Sequence, residues 1–318
     1  MPRKAPVSGR LPRSFKRTKA FVVANLALWG VIGGWYLFQP AERQRDVARL
    51  LSNALDERKE ITAFDVAWDL WQLYYAENLV AAKLPRDDSF AYGGLPRVTG
   101  LRPDYRTLRN TGYLAGYSDE LGNPLFAAYR IADLELKDAP PRPDKFTPDL
   151  RTTARIAPEA YSGTGYDRGH LAPNYAIATR YGAAAQTETF WMSNIIPQKH
   201  ALNAGPWKRL EQRIATNYAG RFGEVWVFAG PVFAEKPAWL RRGLALPEAC
   251  YMIIVDEFEG KLRAQAFLFP QDTPADAPLE SHLVTIDEIE RRTGLDFFTA
   301  LADPAETAFE SLRAERAW

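Results

Sequence analysis

The chain has 318 residues, 47% hydrophobic and 25% charged, enough for one large core and an appendage. A single cysteine, Cys250, excludes an intramolecular disulfide and a cysteine metal cluster. The formal net charge is +1, but residues 1–19 carry seven Lys/Arg and no acid; this leaves 20–318 near −6, so any polyanion site in the body has to be local.

The N-terminus reads as an address. Residues 1–19 form a basic tail, and "AFVVANLALWGVIGGWYLF" (Ala20–Phe38) follows without a charge. At 1.5 Å per helical residue this run matches a hydrocarbon core of about 30 Å. Trp35 and Tyr36 sit near its end, where interfacial aromatics belong. The expectation is a cytoplasmic tail, an uncleaved transmembrane anchor over 20–38, and a body outside the cytoplasm, in the periplasm or at the cell surface. A mitochondrial inner membrane is the alternative address. A cleaved signal peptide fits less well, because "LFQPAERQ" offers no small-x-small cleavage site.

Residues 41–83 read as a helical stalk. Val47, Leu50, Leu51, Ala54 and Leu55 form one stripe, and Ile61, Phe64, Trp68, Trp71 and Tyr75 a second. Such stripes pack on a body or form a seam between helices, and the second would permit a homodimer. The Pro/Gly-rich "LPRDDSFAYGGLPRVTG" marks a boundary near residue 84, where a body over 84–318 begins.

In the body, strand-like runs alternate with turns: "GYLAGYS", "PLFAAYRI", "ETFWMSNII", "EVWVFAGPVF", "CYMIIVDEF" and "LRAQAFLF". "DEFEGKLR" predicts a hairpin turn. Cys250, in "ACYMIIV", reads as a small buried hydrophobe. One helix is predicted to start near Pro206, a favoured first-turn proline. Another opens at Thr285 with Glu288 three residues on and stops at Gly294. The fold class is α+β, with a mixed or antiparallel sheet.

Chemistry concentrates between Arg142 and Arg213, which holds ten Lys/Arg and six Asp/Glu in an otherwise acidic body. A local basic island suits a phosphate-bearing substrate. Within it, "YDRGH" (166–170) reads as a turn with a histidine that could serve as a base near neutral pH. Arg168 offers a planar fork for a phosphate oxygen. Downstream, "SNIIPQKHALNAGPWKRLE" supplies Asn194 and Asn203, and Glu211 follows Asn203 by eight residues. On a helix starting near Asn203, that residue, Trp207 and Glu211 share roughly one face. An asparagine carbonyl is a hard neutral oxygen ligand of the kind magnesium accepts. A base, such a metal and arginines around a phosphate suit a phosphodiester hydrolase. His200 reads as a surface loop residue and His282 as a solvated turn residue.

At these residues the sequence resembles the DNA/RNA non-specific endonucleases, a family with a ββα-metal site. The likeness rests on "RPDKFTPD" (142–149), "YSGTGYDRGHLAPN" (161–174), "ETFWMSNIIPQKHALNAGPWKRLE" (188–211), "VWVFAGPVF" (225–233) and "IDEIERRTGLDFF" (286–298), in the family's order. It spans roughly residues 95–300 and leaves 1–84 unaccounted for. The resemblance implies that His170 is the general base and that Asn203 is the direct ligand of Mg2+, for which Mn2+ can substitute. It implies that Glu211 orients a water of the metal's shell, that Arg168 and Arg142 bind phosphate, and that Asn194 helps hold the site. Asp167 is expected to fix the "DRGH" turn. The substrates implied are DNA and RNA alike, cut without sequence preference to leave 5′-phosphate ends. One departure is Ala215, where some members carry an arginine; the nearest cation is Arg213. Two other classes compete: a catalytically silent nucleic-acid-binding module of the same fold, anchored at the membrane, and a phosphodiesterase for a non-nucleic substrate.

Overall fold

The computed structural model describes residues 13–75, 80–81, 89–99, 104–134, 138–258 and 261–318. The chain divides into two units, Met1–Ser52 and Asn53–Trp318. The boundary expected near residue 84 lies outside the described residues.

The first unit is helical. Helix α1 spans Arg13–Leu37, and α2 (Ala41–Ala54) begins in this unit. Phe21, Val23, Leu26, Trp29 and Val31 are exposed. Among the described residues, however, no helix is long and apolar enough to cross a membrane. The transmembrane anchor expected over Ala20–Phe38 is corrected accordingly. The helix forms, with the polar Asn25 inside its apolar run.

The second unit is built on an antiparallel sheet. Its strands are β1 (Val80–Ala81), β2 (Arg97–Val98), β3 (Arg106–Arg109), β4 (Leu114–Ser118), β5 (Asn123–Ala132), β6 (Tyr166–His170), β7 (Ile195–Lys199), β8 (Glu224–Val232), β9 (Ala238–Arg241), β10 (Leu244–Leu246), β11 (Ala249–Phe258), β12 (Lys261–Pro270), β13 (Leu283–Val284) and β14 (Leu295–Asp296). The main sheet has eight strands, in the order β1-β12-β11-β8-β5-β4-β3 with β13 beside β12. β11 and β12 pair along their full length, from Ala249↔Pro270 to Phe258↔Lys261, as the expected hairpin requires. β6 and β7 form a separate antiparallel pair. The α+β class expected from the sequence is the one observed.

Strand alternation divides the core in two. On β8, Val225, Val227 and Ala229 join one cluster, while Trp226, Phe228 and Val232 join the other. On β11, Cys250, Met252 and Ile254 face the first cluster, and Tyr251, Ile253 and Val255 the second. Cys250 is fully buried and burial pushes its thiol up to about 12, so it behaves as the small hydrophobe expected. The first face is covered by a helical run over residues 200–222. Leu202, Trp207, Leu210, Ile214 and Tyr218 pack from it onto the sheet. Each such large apolar side chain contributes roughly 1.5–3 kcal/mol through burial. The second face is covered by α8 (Ile286–Thr293) and α9 (Asp303–Glu310). α8 starts as predicted: the Thr285 side chain accepts from the Glu288 N–H, and Gly294 ends the helix in the left-handed region.

Three local expectations need correction. "YDRGH" is a strand, β6, rather than a turn. Gly169 fits there because a Cβ would lie 2.0 Å from Oε1 of Gln198, a fully buried side chain of the neighbouring strand. "ETFWMSNII" is not one strand: α4 (Asn174–Glu188) ends inside it, and only Ile195 and Ile196 enter β7. The helix predicted from Pro206 starts earlier, with α5 (His200–Leu202). It continues through a wide turn (Asn203–Trp207), α6 (Lys208–Arg213), a second wide turn (Ile214–Tyr218) and α7 (Ala219–Phe222). The wide turn accommodates Pro206, whose missing N–H would otherwise break the ladder.

α3 (Ala63–Tyr75) docks through charge rather than through its aromatic stripe. Asp69 is buried and binds Arg221 with both carboxylate oxygens at 2.8 Å, while Phe64 and Trp71 stay exposed. Trp68 lies under the guanidinium of Arg316, 3.5 Å from its ring centroid.

Candidate active site

β6, β7 and the helical run from His200 form a ββα unit, and one cavity of about 640 Å³ opens on it. The cavity is lined by His170, Arg168, Arg142, Asn203 and Glu211, which the sequence had placed in three separate stretches. Residue types that looked scattered over 70 positions thus meet at one surface.

His170 ends β6, opposite Ile195 of β7. Its ring packs at 5.4 Å from Phe146 and 5.0 Å from Phe190, and these two phenyl rings lie 5.0 Å apart. The same rings carry the two arginines: Arg142 lies 5.1 Å over Phe190, and Arg168 5.7 Å over Phe146. Arg168 is further oriented by two hydrogen bonds to the Pro158 carbonyl, at 3.1 and 2.7 Å. An aromatic plate therefore sets the base and both cations in one place. Nε2 of His170 is buried without a protein partner. Burial, with a smaller contribution from the Arg142 charge, pushes the imidazole down to about 3, so it is neutral at ordinary pH. The free nitrogen can accept a proton, but burial takes the imidazole well below the near-neutral range expected from the sequence.

Asn203 and Glu211 lie on the helical run across the cavity. The Asn203 amide N–H donates to Asp167 Oδ2 at 3.0 Å, and Nδ1 of His200 lies 2.8 Å from the same oxygen. Asp167 thus ties the start of the helix to β6, rather than fixing a turn. With its nitrogen engaged, the Asn203 carbonyl oxygen is the atom left for a hard cation. The Glu211 carboxylate accepts from the indole N–H of Trp207 at 3.0 Å. Burial pushes Glu211 up to about 8, against the opposing effects of the Trp207 hydrogen bond and the Lys208 charge. A carboxylate and a free amide oxygen lining one cavity form a donor set that fits a divalent cation, which would favour the carboxylate's ionised form.

Asn194 stands apart from the cavity. It is fully buried, accepts from Ala172 N–H at 2.9 Å, and donates to the carbonyls of Ala172 and Thr189 at 3.0 and 2.9 Å. It braces the chain immediately after His170. Arg213 also turns away: it donates to the Trp318 carbonyl at 2.6 Å. Ala215 is buried, and its carbonyl accepts from Arg180 at 2.6 Å.

Several lining residues escaped the sequence reading. Lys208 adds a cation, and Asn174 places a buried, unpartnered Oδ1 in the cavity wall at the start of α4. Trp207, which the sequence had set on one face with Glu211, is buried behind the cavity and links two halves of the site. Arg58 and Glu60 come from a distant segment, and no spacing rule could have placed them. Of the other histidines, His200 is exposed on the first helical turn, beside Asp167. His282 is half-buried rather than solvated: its Nδ1 lies 3.2 Å from the Leu268 carbonyl and its ring packs on Phe269.

Comparison with known proteins gives a consistent result. The profile of the family described as DNA/RNA non-specific endonuclease matches residues 98–304. A nuclease of Serratia marcescens is 32% identical over 253 residues, covering 75% of this chain and 91% of the relative. A mitochondrial nuclease EXOG of Mus musculus is 29% identical over 284 residues, covering 82% and 76%. Among solved structures, an EndoG chain, from the crystal structure of the EndoG/EndoGI complex, superposes with a TM-score of 0.56 at 23% identity. It covers 67% of this chain and 90% of its own, and shares the fold.

Proposed function

Because the chain belongs to the DNA/RNA non-specific endonuclease family, whose members are divalent-metal-dependent phosphodiester hydrolases, we propose that its cavity cleaves DNA and RNA strands with magnesium as the cation. The observation that carries this reading is the convergence in one cavity of a neutral, unpartnered His170 nitrogen, the oxygen donors Asn203 and Glu211, and the cations Arg142, Arg168 and Lys208.

In this reading His170 Nε2 removes the proton from a water as that water attacks the phosphorus. The bond from phosphorus to the 3′ oxygen breaks and that oxygen takes a proton from solvent water, leaving a 5′-phosphate and a 3′-hydroxyl. Arg142, Arg168 and Lys208 offset the charge that grows on the phosphoryl oxygens. Asn203 would hold the divalent cation with Glu211 behind it, and the cation would neutralise charge on the phosphate and the departing oxygen. Asn194 acts at one remove, by holding the segment after His170. Phosphate contacts carry no base information, so sequence preference is slight.

The experiment is incubation of the full chain with circular plasmid, in Mg2+, in EDTA and as His170→Ala. Nicking in Mg2+ is expected, abolished by EDTA and reduced on the order of 10²–10⁴-fold in the variant. Undiminished nicking by His170→Ala would remove the base assignment. Salt-sensitive DNA binding without any nicking would instead favour a silent binding module.

Location and assembly belong to the same proposal. The basic tail followed by apolar α1 supports an export segment that places the body outside the cytoplasm. Protease accessibility in intact cells tests this, and protection of the body would count against it. Exposed Phe64 and Trp71 on α3 support self-association, which sedimentation of Phe64→Ser would check.

A further inference from the structure

Residues 56–60 lie outside the stretch matched by the family profile, 98–304, yet Arg58 and Glu60 line the same cavity as His170, Asn203 and Glu211. The segment is a short helical turn, Glu57–Lys59, capped by the Asp56 side chain, which accepts from the Arg58 N–H at 3.1 Å.

This turn is fastened from both ends. Lys59 is buried, with Nζ at 2.5 Å from Asp133 Oδ1 and 2.7 Å from Asn53 Oδ1. Asn53 in turn donates to Asp133 at 2.8 Å and to the Gly220 carbonyl at 2.7 Å. A buried lysine is tolerated only when its charge is matched and its donors are used, so the turn is held in one position. On the other side, Glu60 adopts φ 50°, a left-handed conformation uncommon for a non-glycine residue. It is held there by the helical run: Gln212 donates to Glu60 Oε1 at 2.9 Å, and Asn217 donates to the Glu60 carbonyl at 2.9 Å. A strained residue fixed at the lip of a cavity points to use there.

What the turn presents is Arg58. Its guanidinium is braced by Asp56 at 3.0 and 3.2 Å, and its side chain is 57% exposed. It adds a fourth cation to Arg142, Arg168 and Lys208 around the cavity.

We propose that residues 56–60 form a substrate-binding wall and that Arg58 binds a phosphate of the nucleic-acid strand away from the one being cleaved. A guanidinium already held by a carboxylate has less freedom to lose on binding, which favours a charge-assisted contact to a phosphate. The site therefore recognises an extended polyphosphodiester, whereas a single phosphodiester fills only the catalytic part. This inference rests on the nuclease reading.

The test uses the full chain and two substrates: a single-stranded oligonucleotide of about 20 nucleotides, and the p-nitrophenyl ester of thymidine 5′-phosphate, which carries only the phosphodiester to be cleaved. For Arg58→Ala, KM for the oligonucleotide is expected to rise about 5- to 20-fold with kcat within about twofold. The slope of log KM against log salt should fall by about 0.7, as for one lost contact to a single strand. Activity on the small ester should not change. Arg58→Lys should recover part of the oligonucleotide KM, since a point charge keeps the attraction without the fork. An unchanged oligonucleotide KM and salt slope would overturn the proposal, and so would an equal loss on both substrates, which would make the turn a brace for the catalytic helix. If the unaltered chain cleaves neither substrate, the nuclease reading fails instead.

Discussion

Trp207 joins the two chemically distinct halves of the site to each other. Its indole N–H lies 3.0 Å from Glu211 Oε1 and 3.2 Å from the carbonyl oxygen of His170. The base side and the carboxylate side are thus held to a common donor, itself fully buried in the core. Trp207→Phe removes that donor together with part of the buried indole volume. The expected result is a kcat lower by about fivefold, the size of one hydrogen bond of about 1 kcal/mol, alongside a fall in melting temperature from the cavity left in the core. Steady-state kinetics with a parallel melt checks this, and a loss of stability without a loss of kcat would speak against a positioning role.

Gly205 sits two residues after Asn203 in the wide turn, and a Cβ there would come within 2.7 Å of the Ala275 backbone. Backbone cannot yield as a side chain can. Gly205→Ala is expected to destabilise the fold by about 1–3 kcal/mol and to raise the Mg2+ concentration needed for half-maximal activity. Urea unfolding and a metal titration measure the two effects separately.

Lys59 and Asp133 form a buried ion pair with Asn53 as a third member. Removing one partner strands the other charge. Lys59→Met is expected to cost about 3–5 kcal/mol, read from the midpoint shift in urea at unchanged slope. A cost below 1 kcal/mol would mean that water reaches Asp133.

Glu310 on α9 is buried with Oε1 unpartnered, and burial together with nearby Glu290 pushes its carboxyl up to about 9. Glu290 is pushed up to about 7, by burial first. Both carboxyls stay protonated in the folded chain where the unfolded chain ionises them, near 4.5. The folded state therefore binds more protons between about pH 4.5 and 9, and stability falls as pH rises through that window. Glu310→Gln should raise the melting temperature at pH 8 by several degrees and change it little at pH 4.5. Melting curves across that range decide the matter, and equal shifts at both ends would dismiss titration as the cause.

Much of this was legible in the sequence for a physical reason. Strand alternation on "EVWVFAGPVF" and "CYMIIVDEF" reports two buried faces directly, because side chains point to opposite sides at a period of two. The Thr285 cap and the Gly294 stop are local hydrogen-bond and dihedral effects, so they need no partner. The approach of Trp207 to Glu211 follows from their spacing of four on the helical run.

What the sequence could not decide were contacts between distant segments. That "YDRGH" is a strand depends on β7, and the fit of Gly169 depends on Gln198, 29 positions on. The aromatic plate of Phe146 and Phe190, and the wall at Arg58 and Glu60, exist only once three regions meet. The apolar run of α1 and the aromatic stripe of α3 show the limit from the other side. Composition suggested a membrane span and a packed seam, whereas α1 falls short of a span and α3 is fastened by Asp69 to Arg221. By itself the sequence determined residue chemistry and periodicity, which are local properties. Tertiary structure decided which groups lose water together, and that shared desolvation keeps the His170 imidazole neutral and raises the Glu211 carboxyl, which a bound cation would have to draw back to its ionised form.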